Sequence, residues 1–116
     1  MFDEPEQNLG LFKGCHYTTY VEEVKRLKRE NKLMEAEELL VSLIETVENE
    51  DDAKSWPSPP WYYEQLAIVY HKQFRYQDEI TILERYCNRL FNTQDKIIPF
   101  LFRIEKAKAI LKKQDK

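Results

Sequence analysis

The sequence predicts an all-α domain, and three observations carry that prediction. Large apolar residues recur at spacings of three and four from Tyr17 nearly to the C-terminus, the mark of helices with one buried face. Only two glycines occur, Gly10 and Gly14, both near the N-terminus, too few to turn an all-β chain. Prolines fall in the breaks or near the start of a periodic stretch, at Pro57, Pro59, Pro60 and Pro99, where loops and first helical turns accept them.

Residues 1–15 have no period and hold Phe2, Leu9, Leu11 and Phe12 among Pro5, Gly10 and Gly14. They read as a flexible N-terminal arm, free or packed on the domain or on a partner. The helical domain is expected over residues 16–113, followed by a disordered tail at 114–116. Its first helix starts at Tyr17, with Tyr20, Val21, Val24 and Leu27 inward and charged residues on the other face. Asn31 suits the left-handed conformation that ends a helix. The pattern then restarts with Leu33, Ala36, Leu40, Leu43 and Val47, which makes an antiparallel hairpin.

The stretch from Asp51 to Pro60 mixes charge with three prolines and is expected to form the main loop. A third helix from about Pro60 places Tyr63, Leu66, Ala67 and Tyr70 on one face. After Gln73-Phe74-Arg75 a fourth carries Tyr76, Ile80, Leu83, Tyr86, Cys87 and Leu90. The last helix follows a break at residues 92–95, turns Ile97, Phe100, Leu101, Ile104, Ala107 and Leu111 inward, and is expected to hold Pro99 in its first turn.

Tyr63-x2-Leu66-Ala67-x2-Tyr70 returns 34 residues later as Ile97-x2-Phe100-Leu101-x2-Ile104. Spacing and period resemble the tetratricopeptide repeat, whose first helix reads Trp-x2-Leu-Gly-x2-Tyr. Ala36-x3-Leu40-x2-Leu43 is similar to the second helix of such a repeat, and the offset between the first two hairpins is 43 residues. The extra nine are accommodated by a lengthened second helix and the proline loop. Glu79, Leu101 and Val24 depart from the family's small positions, and Phe74 stands where a turn glycine is common. The resemblance spans about residues 17–111 and implies antiparallel helix-turn-helix hairpins stacked as a short right-handed solenoid of about two and a half repeats, closed by a C-terminal capping helix. An unrelated four- or five-helix bundle is the alternative.

A chain of 116 residues, 42% apolar and 34% charged, fits one globular domain. The net charge of −3 supplies no dominating basic field, which makes nucleic acid an improbable partner. The acidic run Glu45, Glu48, Glu50, Asp51, Asp52, the basic run Lys25, Arg26, Lys28, Arg29, Lys32 and the basic end Lys112, Lys113, Lys116 read first as solvated faces. No apolar stretch approaches the roughly 18 residues of a membrane span, and the first residues are acidic where a secretory signal is basic. With only Cys15 and Cys87 as thiols, a cytoplasmic protein is expected.

Constellations for chemistry are missing. Cys15 and His16 are adjacent, and His71 and Cys87 fall on separate helices without zinc-ligand spacing. Glu22-Glu23, Glu37-Glu38 and Asp78-Glu79 are neighbours on helices, with no pocket to raise one carboxyl for acid–base work. There is no glycine-rich phosphate loop and no nucleophile elbow. Neither an enzyme nor a cofactor or metal site is expected.

Stacked hairpins expose a concave face lined by their first helices, suited to extended or helical peptides. The positions left over by the core nominate Glu22, Lys25, Lys28 and Arg29 from the first hairpin, Trp61, Glu64, Ile68, His71 and Lys72 from the second, and Phe102 and Lys106 from the last helix. Such a face would take a protein or peptide with carboxylates and one apolar anchor. Trp56 and Trp61 have a plainer alternative, pinning the proline loop. A homodimer covering the exposed end of the stack is the competing function.

Overall fold

The computed structural model describes residues 9–114. Phe2 and the first part of the expected arm, and all but Gln114 of the expected tail, lie outside the described residues. A β-hairpin, β1 (Leu11–Phe12) and β2 (Cys15–His16), leads through a 3-10 turn (Tyr17–Tyr20) into five helices: α1 (Val21–Arg29), α2 (Leu33–Lys54), α3 (Pro60–Lys72), α4 (Tyr76–Cys87) and α5 (Gln94–Gln114).

The described part of the arm is thus structured. Leu11 pairs with His16 and Phe12 with Cys15, across a two-residue turn in which Lys13 and Gly14 both have positive φ, 52° and 85°. That is the twist a tight hairpin requires. The Tyr17 amide donates to the Gly10 carbonyl at 2.9 Å, the Tyr20 hydroxyl donates to the Phe12 carbonyl at 2.7 Å, and Tyr17 packs edge-on against Tyr62 of α3. The hairpin therefore covers the end of α2 that α1, ending nine residues after it begins, is too short to reach.

α1 and α2 are joined by a turn in which Asn31 has φ 60° and the Lys32 amide donates to the Leu27 carbonyl at 2.8 Å. The α3–α4 turn repeats this geometry 43 residues on: Phe74 has φ 60° and the Arg75 amide donates to Tyr70 at 2.9 Å. Even the residues that open the following helices agree, Lys32 at φ −89°, ψ 69° and Arg75 at φ −95°, ψ 69°.

Expectations about boundaries change, most of all at α2 and α5. α2 runs through the acidic segment to Lys54 and stops at Ser55, which is left-handed at φ 58°, so the loop is only residues 55–59. Asp51 is buried where α2 meets the loop, and its carbonyl closes the helix end by accepting from the Trp56 amide at 2.9 Å. The loop is pinned by Asn92, which accepts from the Ser58 amide at 2.7 Å and donates to the Tyr86 carbonyl at 2.8 Å. Trp56 is exposed beneath the Lys54 ammonium, and Trp61 stands edge-on to Tyr62. α5 begins at Gln94, earlier than expected, which puts Pro99 inside the helix and beyond its first turn. The Thr93 carbonyl accepts from Lys96 and Ile97 at 3.1 Å and starts α5 ahead of the proline, at the expense of one internal hydrogen bond.

The core is centred on α2, α3 and α4. Tyr63, fully buried, meets Tyr86 edge-on at 5.1 Å between ring centroids, and Tyr86 lies over Phe100 at 4.3 Å. Rings of this size each stabilise the fold by about 2–3 kcal/mol through burial. Ala36, Ala67 and Ala107 are buried to 1% or less, which permits close helix approach. Ile44, Tyr62, Val69 and Ile82 are buried as well, since a helix packed between two neighbours buries a wider arc than one stripe predicts. Leu90 and Leu101, expected inside, are 85% and 44% exposed. Leu90 follows the end of α4 at Cys87.

Alternate helices are cross-linked in a constant register. Arg75 reaches Glu37 at 2.6 Å, Arg85 reaches Glu48 at 2.6 Å, and Arg89 reaches Asp52 at 2.5 Å. The paired positions rise together, so α2 and α4 run parallel. Lys28 of α1 likewise hydrogen-bonds Gln65 of α3.

Candidate functional site

The face made by α1, α3 and α5 holds the candidates. α3 starts at Pro60, whose fixed φ suits a first helical position, and this phase turns Leu66, Ala67 and Val69 inward. Ile68, His71 and Lys72 are left along the side that meets α5. On α5 the burial of Phe100, Ile104 and Ala107 leaves Arg103 and Lys106 on the flank toward α3. Ile68, His71, Lys72, Glu79, Arg103, Lys106 and Ala107 together line a cleft of about 290 Å3.

The electrostatics of the cleft are unbalanced. Glu79, its only acid, is buried and bonded to His71, Oε1 to Nδ1, at 3.0 Å. Lys72, Arg103 and Lys106 form no ion pair among the described residues, whereas Arg26, Arg75, Arg85 and Arg89 all do. Next to this cleft, Lys28 is half-buried against Gln65. Burial, with Lys72 adding its charge, pushes the Lys28 ammonium below its usual range. Excess positive charge held beside an apolar wall of Ile68 and Ala107 attracts anions more strongly than the same charges would in open solvent.

Of the eleven residues nominated from sequence, Ile68, His71, Lys72 and Lys106 converge on the cleft, and Lys28 lies beside it. Glu22, Lys25 and Arg29 are exposed along α1, with Glu22 and Lys25 paired to each other at 3.6 Å. Trp61 and Glu64 are half-buried earlier on α3, and Phe102 is 67% exposed on α5. None of these six lines the cleft. Three lining residues escaped the sequence reading. Arg103 precedes Lys106 by three residues and Ala107 by four, so one helical face holds them together, a signal that was available. Glu79 stood at an expected small position, and nothing in the sequence pairs it with His71.

A second groove, about 230 Å3, runs between α2 and α4 over Val41, Ile44, Leu66, Tyr70 and Ile82. Its arginine, Arg85, is held by Glu48, so its charge is already spent. Among the described residues no group of three or more His, Cys, Asp or Glu side chains is arranged to hold a metal ion, and no helix is long and apolar enough to cross a membrane. Comparisons with protein-family models, with curated proteins and with solved structures gave no significant match.

Proposed function

We propose that this chain is a non-enzymatic adaptor of the tetratricopeptide-like kind, which binds an acidic protein or peptide segment on the face formed by α1, α3 and α5. The observation that carries this reading is the cleft between α3 and α5, where three cations without carboxylate partners among the described residues adjoin Ile68 and Ala107. The repeated turn geometry at Asn31 and Phe74 and the parallel register of α2 and α4 support a stacked-hairpin arrangement over an unrelated bundle. A cytoplasmic setting belongs to the same proposal and is supported by two free thiols, Cys15 and Cys87.

Retention of partners from a host lysate on the immobilised chain tests the reading, comparing wild type with Lys72→Glu and with the outer-face variant Glu38→Lys. Loss of a retained protein with the first variant alone supports it. Equal retention by all three shows that the cleft is not the working surface.

One observation favours a second reading, a self-associating subunit. Leu90, Phe91, Ile98, Leu101 and Phe102 are all exposed at the α5 end of the molecule, and a second copy would cover them. Sedimentation velocity over a hundredfold range of concentration decides this: a constant monomer mass removes it.

A further inference from the structure

Resting on the peptide-binding reading above, we infer that the α3–α5 cleft receives a phosphorylated side chain, a phosphothreonine or phosphoserine of the bound segment. Charge stoichiometry is the first reason. Lys72, Arg103 and Lys106 face one small space without ion-pair partners among the described residues; set against Glu79 in the same wall they leave an excess of two positive charges, and a single ligand carboxylate would compensate only one. A phosphate monoester brings nearly two negative charges at neutral pH and three strong acceptor oxygens, enough for the fork of Arg103 and two ammonium groups.

The acid in the wall does not compete. The Glu79 carboxylate already has a partner in His71 Nδ1 at 3.0 Å. Ile68 offers an apolar surface for the carbon stem of the phosphorylated residue, and the methyl of phosphothreonine adds contact there. The cleft, about 290 Å3, has room for one such side chain.

A nucleic acid would present the same phosphate chemistry, but the charge outside the cleft opposes it. Glu35, Glu38, Glu45 and Asp52 form an exposed stripe along α2, and the chain is net negative. A polyanion needs many cations in a row, whereas on α1 Lys25 and Arg26 are already paired with Glu22, Glu23 and Glu30.

The test is an NMR titration of the isotopically labelled full chain with four probes: the N-acetyl amide of phosphothreonine, the N-acetyl amide of glutamate, inorganic phosphate and an eight-residue oligothymidylate. The phosphothreonine amide should shift the amides of residues 68–72 and 103–107 and bind about tenfold more tightly than the glutamate amide, the gain expected of one further charge-assisted hydrogen bond. Arg103→Gln and Lys106→Gln, both at solvent-accessible positions and checked for unchanged circular dichroism, should each abolish that preference. Equal binding of the glutamate amide overturns the inference while leaving the peptide-binding reading intact. Equal binding of inorganic phosphate, tighter binding of oligothymidylate, or no shift with any probe also overturns it. Lysate retention by wild type against Lys72→Glu then tells separately whether the face binds protein.

Discussion

Glu48 and Asp51, one turn apart on α2, are two carboxylates with opposite surroundings. Glu48 accepts from the Tyr63 hydroxyl at 2.6 Å and from both Arg85 Nε and Nη2, at 2.9 and 2.6 Å. Asp51 is 1% exposed, and its Oδ2 has no hydrogen-bond partner among the described residues. Burial raises both carboxyls. For Glu48 the hydrogen bonds from Arg85 and Tyr63 outweigh it and leave the group below the ordinary range. For Asp51 burial prevails over the Ser58 hydrogen bond, and the group stays above.

The two should therefore respond to pH with opposite signs. The stabilisation from Glu48 is complete above the unfolded-state pKa and is lost as pH falls through the lower folded value. Asp51 binds its proton more tightly when folded, so stability falls as pH rises from the unfolded value through the raised folded one. At pH 7 Glu48→Gln should cost about 2 kcal/mol, and Asp51→Asn should add about 1 kcal/mol. Both differences should shrink toward pH 3, as urea midpoints at pH 7, 5 and 3 will show; parallel pH trends in the two variants would refute the assignment.

Phe74 is left-handed at φ 60° and 75% exposed, so its side chain returns little for a strained backbone. Phe74→Gly should raise stability by about 0.5–1 kcal/mol, read as a higher urea midpoint at unchanged slope. Asn31→Gly, at the equivalent position, should change it by a few tenths, since asparagine tolerates this conformation. A loss of stability in Phe74→Gly would mean that the ring, 6.4 Å from Tyr76, matters to packing.

Ala36 and Ala67 are completely buried, and each leaves no space for a larger side chain if the helices keep their separation. Ala67→Leu should destabilise by about 1–3 kcal/mol, while Ala109→Leu, on the exposed side of α5, should be neutral within about 0.5 kcal/mol. Thermal melts of both variants separate the two positions.

Gly10 has φ 80°, and a Cβ placed there would lie 2.6 Å from Glu50 Oε2. Glu50 could swing aside, but only by leaving His16 and Lys54, at 3.6 and 3.4 Å. Gly10→Ala should thus cost about 1–2 kcal/mol, whereas Gly14→Ala, with open space around it, costs only its backbone strain. Faster amide exchange of Tyr17 in Gly10→Ala would show the hairpin loosening.

The helices were legible because an apolar stripe at threes and fours is imposed by burial itself, and Asn31 and Pro60 mark their ends chemically. The hairpin was not, since its strands are two residues each and its turn, Lys13-Gly14, lacks the usual asparagine or aspartate. The length of α2 was obscured by acidic residues, of which Asp51 is buried by tertiary packing that a local reading does not contain. On the candidate face, helical spacing found Ile68, His71, Lys72 and Lys106. It also nominated Phe102, because a periodic pattern does not say which flank of α5 will meet α3.

The side-chain hydrogen bonds that tie alternate helices, Lys28 to Gln65, Arg75 to Glu37, Arg85 to Glu48 and Arg89 to Asp52, each span 37 or 38 residues. Closing a loop of that length carries a modest entropic cost, and every such closure has nearly the same one. The main packing, by contrast, joins helices adjacent in the chain, α1 on α2, α2 on α3, α3 on α4 and α4 on α5; contacts between neighbouring elements favour quick folding, and whichever hairpin forms first presents the next with a surface to fold against.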